Sequence, residues 1–252
     1  MNKFSIKNSA FISIDNTRTF EDKSLNELYV PEGEQAAIIS KKVADICRSA
    51  GMLTVNVFDK HTRGHISFAS SYTNKKPYDS ITYEEVRYWT QERNGLSAQA
   101  KFTVKQLQEY LLNSPDQKNK VRPDHAKGWT ESSDLMPPLL PNDFIIHLPK
   151  GDKVNEHPYG GFIGTVLDRE LKKRSIDTIF IGGVATDYCS GETGVQGLDL
   201  NYNVYMITDA IRGIKQETVD EMMDLLLSKN VNFIDSEGFK KLIKSPNSVL
   251  AS

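Results

Sequence analysis

Short apolar runs, each closed by a polar or turn-forming residue and followed by a helical pattern, recur along this chain and leave it few folds to choose from. They lie at 10–14, 53–58, 144–148, 178–181, 204–207 and 231–234. Such runs are too short for helices, and an unbroken apolar run suits a strand buried on both faces. Between them apolar residues return at helical spacing. Ala37, Ile38, Val43, Ile46 and Cys47 mark a helix over 34–50 that Gly51 stops, and Ile163, Val166, Leu167 and Leu171 mark another over 161–173. Further helices are expected over 190–200 and 217–228, and a last one before the polar tail at 245–252. The alternation, with no internal repeat, predicts an α/β fold: a three-layer doubly wound sheet of about six mainly parallel strands with helices on both faces. Only 70–121 breaks the pattern. Val104, Leu107, Leu111 and Leu112 suggest a helix there, and 115–119 reads as a solvated loop. Residues 1–252 are therefore read as a single domain with an insertion at about 70–121.

In a doubly wound sheet, ligands bind in the crevice outside the strand C-termini. Asp15, Asp59 and Lys150 each stand at the end of an apolar run, and Cys189 follows another after a small polar turn. Cys189 is the most telling. Gly182-Gly183 and the turn deliver a thiol to a helix start, where the dipole and free N–H groups favour a thiolate and can hold an oxyanion. Glu192 stands where a C-x-x-C pair needs its second cysteine, and Val195 where a phosphatase-type loop needs arginine. A lone nucleophile in need of a base remains. Cys47, in an amphipathic segment, reads as core, and Asp209 as a turn former or helix cap.

Asp59 and His61 share one side of an extended segment and can face one metal ion, with His65 and His125 as further candidates. One Asp with two His suits Zn²⁺, Fe²⁺ or Mn²⁺ and leaves positions for water or substrate. His147, inside an apolar run, reads as a core residue, and His157 has no evident place. A formal net charge of −2 without a basic block argues against nucleic acid as a partner. Two cysteines build no disulfide framework, the apolar run at 10–14 is too short for a signal peptide, and nothing approaches a transmembrane helix. A cytoplasmic protein with no membrane partner is expected.

Together these segments resemble the nicotinamidases of the isochorismatase-like cysteine hydrolases, over about 10–213 and least well across the insertion. Gly183-Val184-Ala185-Thr186-Asp187-Tyr188-Cys189 resembles the nucleophile segment, and 59–69, with His65-Ile66-Ser67-Phe68-Ala69, the metal segment. Lys150-Gly151 with 159–162 resembles the lysine segment, and Asp15 with Phe20 the first-strand acid and an aromatic wall; 208–213 matches as well. The resemblance implies a catalytic triad of Asp15, Lys150 and Cys189, and an oxyanion site at Ala185 and Cys189 beside a cis Val184–Ala185 peptide. It implies substrate contacts at Phe20, Tyr188 and Arg122. It also implies one divalent transition metal, zinc ahead of iron or manganese, on Asp59, His61 and His125, with His65 a ligand on which relatives differ. The implied substrate is nicotinamide, converted through a thioester to nicotinate and ammonia in NAD salvage; a homo-oligomer is left open.

The chain departs from the family pattern at Thr17, where glutamine is usual, and at 122–126, where Arg122-Pro123-Asp124-His125-Ala126 replaces Trp-Pro-x-His-Cys. A guanidinium in place of an aromatic wall can stack on a ring or select an anionic substrate. The alternatives are therefore a related amide or ureido hydrolase acting on an anionic small molecule, or a catalytically silent metabolite binder. The intact Asp15, Lys150 and Cys189 speak against the silent form.

Overall fold

The structure, a computed structural model, describes residues 4–155 and 159–244, so His157 and the tail at 245–252 lie outside the described residues. Its elements run β1 (Ser9–Ile14), α1 (Arg18–Glu21), α2 (Gly33–Ala50), β2 (Leu53–Asp59), β3 (Ser80–Thr82), α3 (Tyr83–Val86), α4 (Val104–Leu112) and β4 (Lys118–Lys120). They continue β5 (Ile146–Lys150), α5 (Leu167–Lys172), β6 (Thr178–Val184), α6 (Cys189–Asp199), β7 (Asn203–Arg212), α7 (Gln216–Ser228), β8 (Asn232–Ile234) and α8 (Ser236–Lys244). The apolar runs become central strands because both their faces are covered: every residue of β1 and β6 is buried. Six strands form one sheet in the order β5-β2-β1-β6-β7-β8, with every pairing parallel. On one face α2 and α8 pack over Phe11, Phe180, Ile207 and Ala210. On the other, Leu167 and Leu171 of α5 and Leu226 of α7 join Ile12, Ile14, Val55 and Ile181. Cys47 is wholly buried in the first of these layers, as its spacing predicts. Among the described residues no helix is long and apolar enough to cross a membrane.

Local departures have local causes. The segment read as a helix over 161–173 is helical only from Leu167, because Gly160 and Gly164 take φ of 79° and 73°, outside the helical region. Ile163 is left 55 % exposed and Val166 38 % exposed. His147 is not core: on β5, the outer strand of the sheet, the face carrying His147 and Pro149 is exposed while Leu148 and Lys150 on the other face are buried, and His147 Nε2 lies 2.9 Å from the Pro141 carbonyl. β7 does not end at Asp209 but runs on to Arg212, pairing Ile211 with Gly183 and Arg212 with Val184 after a register shift. Asp209 nevertheless caps, accepting the N–H of Ser236 at 2.8 Å and its hydroxyl at 2.5 Å at the start of α8.

The stretch between β2 and β5 gathers its own apolar cluster, including Ile66, Tyr72, Ile81, Phe102, Leu107 and Leu111. α4 starts on a capping box between Thr103 and Gln106. The end of the loop expected over 115–119 instead enters β4, which pairs antiparallel with β3 and buries Asn119.

Gly183 lets β6 lie against β1. Its φ is +110°, and a Cβ there would stand 1.9 Å from the Ile14 carbonyl oxygen. Gly183→Ala should cost about 3 kcal/mol through strain and backbone displacement, read as a lower urea midpoint; an unchanged midpoint would mean these strands lie further apart than described.

Candidate active site

The order of the sheet reverses between β1 and β6: β2 and β5 lie outward of β1, while β7 and β8 lie outward of β6. Loops leaving two such neighbours part, and a crevice opens. Asp15 follows β1, Asp59 and Lys150 are the last residues of β2 and β5, and Cys189 is the first of α6. Asp59 and Lys150 are register partners. Asp15 adopts a left-handed φ of 51°, which Asp tolerates better than most residues, and its Oδ1 accepts the Asp59 N–H at 2.7 Å.

Lys150 is the hub. Its Nζ lies 2.5 Å from Asp59 Oδ1, 2.9 Å from Asp15 Oδ2 and 3.5 Å from Cys189 Sγ. The Asp15 contact is an ion pair without hydrogen-bond alignment. Burial by itself would drive this lysine neutral, but Asp15 and Asp59 outweigh it and hold the ammonium charged, well above its ordinary range. Burial raises the Asp15 carboxyl to about 6, with Lys150 pulling down and Asp59 pushing up. Burial acts on Asp59 too, yet Lys150 and then His61 overcome it and hold that carboxyl far below the usual range. The two acids thus divide: Asp59 stays ionised, and Asp15 exchanges a proton near neutrality. Burial pushes the Cys189 thiol well up, against Lys150 and with the two carboxylates. The helix-start position favours a thiolate, but inside this site burial wins, and the sulfur rests as a thiol.

A second constellation adjoins through Asp59. His125 comes from far along the chain, yet backbone pairing sets it beside His61: the His61 N–H donates to Ala126 O at 2.8 Å, and the Gly128 N–H to His61 O at 3.0 Å. Ligand atoms of Asp59, His61 and His125, all buried, lie within 4.8 Å of one another. His61 Nδ1 is 2.9 Å from the Gly151 carbonyl and His125 Nδ1 is 2.7 Å from the Pro123 carbonyl. Each carbonyl takes the Nδ1 proton and leaves the Nε2 lone pair bare. His61 Nε2, buried and without a hydrogen-bond partner, faces Asp59 Oδ2 at 3.6 Å. Two acceptors facing each other out of water repel unless a cation lies between them. Burial, with His61 adding, holds His125 down at about 3, so it is neutral and able to ligate. These residues fit a divalent cation of the zinc, iron or manganese type.

His65 lies outside the converging three. Its Nδ1 accepts the Ser67 N–H at 3.2 Å, which puts the ring proton on Nε2, and the ring stacks on His61 at 4.4 Å.

Both constellations open into a cavity of about 550 Å³. Phe20, Ala185, Tyr188 and Arg122 line it, and Phe20 stands edge-on to His125 at 6.0 Å. The Val184–Ala185 peptide is cis. The N–H groups of Ala185 and Cys189 donate to no acceptor among the described residues. Thr17 does not line the cavity; it is buried beneath it with its hydroxyl unpartnered. Arg122 is set by its backbone, donating to Ser67 O at 2.7 Å and accepting from the Ala69 N–H at 2.8 Å. Its guanidinium packs 5.6 Å from the Tyr188 ring centre and 6.0 Å from that of Tyr78, and the phenols of Tyr159 and Tyr188 add to holding it charged.

Tyr78, Tyr159, Lys120 and Lys215 also line the cavity, and none was expected there. Tyr159 carried a signal, since it opens the 159–162 stretch; the others sit in segments without one. Asp187 has a role that its turn position hides. It accepts the Ile214 N–H at 3.0 Å and the Thr218 hydroxyl at 2.6 Å, fixing the loop that carries Lys215.

A family model described as the isochorismatase domain matches residues 9–238. The nicotinamidase of Escherichia coli strain K12 is 26 % identical over 201 residues, 77 % of this chain and 78 % of that protein. Among solved structures, a nicotinamidase/pyrazinamidase of Acinetobacter baumanii superposes with a TM-score of 0.71 at 20 % identity, covering 92 % of this chain and 98 % of the other. The pyrazinamidase of Pyrococcus horikoshii in complex with zinc gives 0.66 at 24 % identity, covering 90 % and 99 %. Those two likenesses speak for a shared fold.

Proposed function

The chain belongs to the isochorismatase family, and within it we propose that this protein is a cysteine amidohydrolase converting nicotinamide to nicotinate and ammonia. The observation that carries the reading is the one buried Lys150 Nζ shared by Asp15, Asp59 and Cys189, three residues that line the cavity.

Asp15, whose carboxylate lies within 4.8 Å of the Cys189 sulfur, takes the thiol proton as the sulfur attacks the carboxamide carbon. The unengaged N–H groups of Ala185 and Cys189 receive the oxyanion. The Lys150 ammonium offsets the negative charge that moves from Asp15 through sulfur to oxygen, which makes an uphill proton transfer accessible. Protonated Asp15 then gives its proton to the departing nitrogen, and ammonia leaves a thioester on Cys189. Water attacks the thioester with Asp15 again as base, releasing the carboxylic acid and restoring the thiol. Phe20 and Tyr188 wall the ring of the substrate. Asp59, His61 and His125 would hold a divalent metal, which would supply Lewis acidity when bound. The zinc in the Pyrococcus horikoshii relative supports zinc as the metal here.

Ammonia release from nicotinamide by purified, zinc-supplemented protein tests the proposal, and no release under these conditions would end it. The pH profile tests the base. Asp15 must be ionised to accept the thiol proton, and its carboxyl stands at about 6. On the acid side of that value kcat/KM should fall about tenfold per pH unit; a profile flat through that range would remove Asp15 from the role.

A further inference from the structure

The cavity holds more positive charge than the proposed chemistry uses. Three acids line it, and each already has a cation: Asp15 and Asp59 share Lys150, and Glu27 pairs with Lys127 at 2.5 Å while accepting the Thr19 hydroxyl at 2.6 Å. Arg122, Lys120 and Lys215 line the same cavity, and none of the three pairs with a carboxylate among the described residues. Arg122 is the important one. It is half-buried, its main chain is tied to Ser67 and Ala69, and its guanidinium lies against Tyr78, Tyr159 and Tyr188. Phenols are neutral and cannot balance the charge of a guanidinium that carries five N–H donors. A neutral ligand filling the cavity would strip water from this cation and return nothing, whereas an anionic group would pair with it. Lys120 and Lys215 are exposed and add a field of the same sign at the rim.

We propose that Arg122, supported by Lys120 and Lys215, is a second subsite that takes an anionic group of the substrate, so that the preferred substrates are small carboxamides bearing a carboxylate or phosphate away from the scissile bond. This rests on the amidohydrolase reading above and narrows its substrate class: nicotinamide enters the cavity but leaves the subsite unfilled. The subsite selects and takes no part in the bond-breaking step.

The test compares zinc-supplemented wild type with Arg122→Met on four amides: benzamide, nicotinamide, 3-carbamoylbenzoate and 3-carbamoylphenyl phosphate. In wild type, kcat/KM for at least one anionic amide should exceed that for benzamide by about tenfold or more, and the ratio should collapse toward one in Arg122→Met. The carboxylate and phosphate arms show which anion the subsite takes. Arg122→Lys should restore part of the ratio, since it returns charge without the planar fork. Equal use of neutral and anionic amides by wild type, or a preference that survives Arg122→Met, overturns the subsite. If no amide is turned over, the amidohydrolase reading fails, and calorimetry decides the subsite separately. Cys189→Ala protein should then bind 3-carbamoylbenzoate about tenfold more tightly than benzamide, and the double variant with Arg122→Met should not. Equal affinities in Cys189→Ala sink the proposal.

Discussion

Cys189→Ala should abolish ammonia release, lowering kcat by about 10⁴-fold or more, while the protein keeps its fold. In the proposed mechanism the sulfur forms the thioester: Cys189 lines the cavity, its Sγ 3.5 Å from Lys150 Nζ, at the first residue of α6. Removing it deletes a reaction path rather than a binding contact, so KM has little to report and kcat carries the loss. The substitution trims one atom at a cavity wall, and circular dichroism and the thermal midpoint should stay near wild type. A variant retaining a tenth of wild-type kcat would remove Cys189 as nucleophile. Alkylation gives an independent reading. Burial pushes both thiols up, so access decides: Cys47 is wholly buried, whereas Cys189 lines a cavity open to ligands. Iodoacetamide should therefore label Cys189 first by peptide mass, and the loss of activity should track that label.

Metal occupancy carries the second large effect. Asp59, His61 and His125 bring buried ligand atoms within 4.8 Å of one another, so each alanine variant should lower bound zinc, by elemental analysis, by about tenfold or more. Asp59→Ala also takes one of the two carboxylates from buried Lys150, and breaking such a pair costs about 3–5 kcal/mol. His125→Ala is therefore the cleaner experiment. His65→Ala should retain most of the metal, because His65 Nδ1 is turned to Ser67, and His147→Ala should retain all of it, because that ring lies on the outer edge of the sheet. Full occupancy in His125→Ala would mean that the pairing of 125–128 with His61 does not hold in solution, and the three-ligand site would have to be given up.

The elements of this chain were legible before the structure because each depends on residues close in sequence. A buried strand is written as an apolar run, α2 as apolar residues at helical spacing closed by Gly51, and α4 by its spacing alone. The alternation then implied parallel strands, and parallel strands put Asp15, Asp59, Lys150 and the turn before Cys189 on one edge. What the local pattern does not hold is who stands next to whom. His147 looked like core because its run is apolar, but β5 has one neighbour, and only the strand order reveals that its outer side meets water. The helix expected over 161–173 lost its first half, where Gly164 takes a positive φ that helical spacing of the apolar residues does not report. The ionisation of the site was hidden for a stronger reason. A cysteine at a helix start argues for a thiolate, and the opposite outcome comes from burial and from two carboxylates brought in by other strands, which are long-range quantities. Arg122 shows the same division. Its presence at that position is a sequence fact, whereas its lack of a counterion is a property of every segment that converges on the cavity, because Coulomb energies depend on distance in space and take no account of distance along the chain.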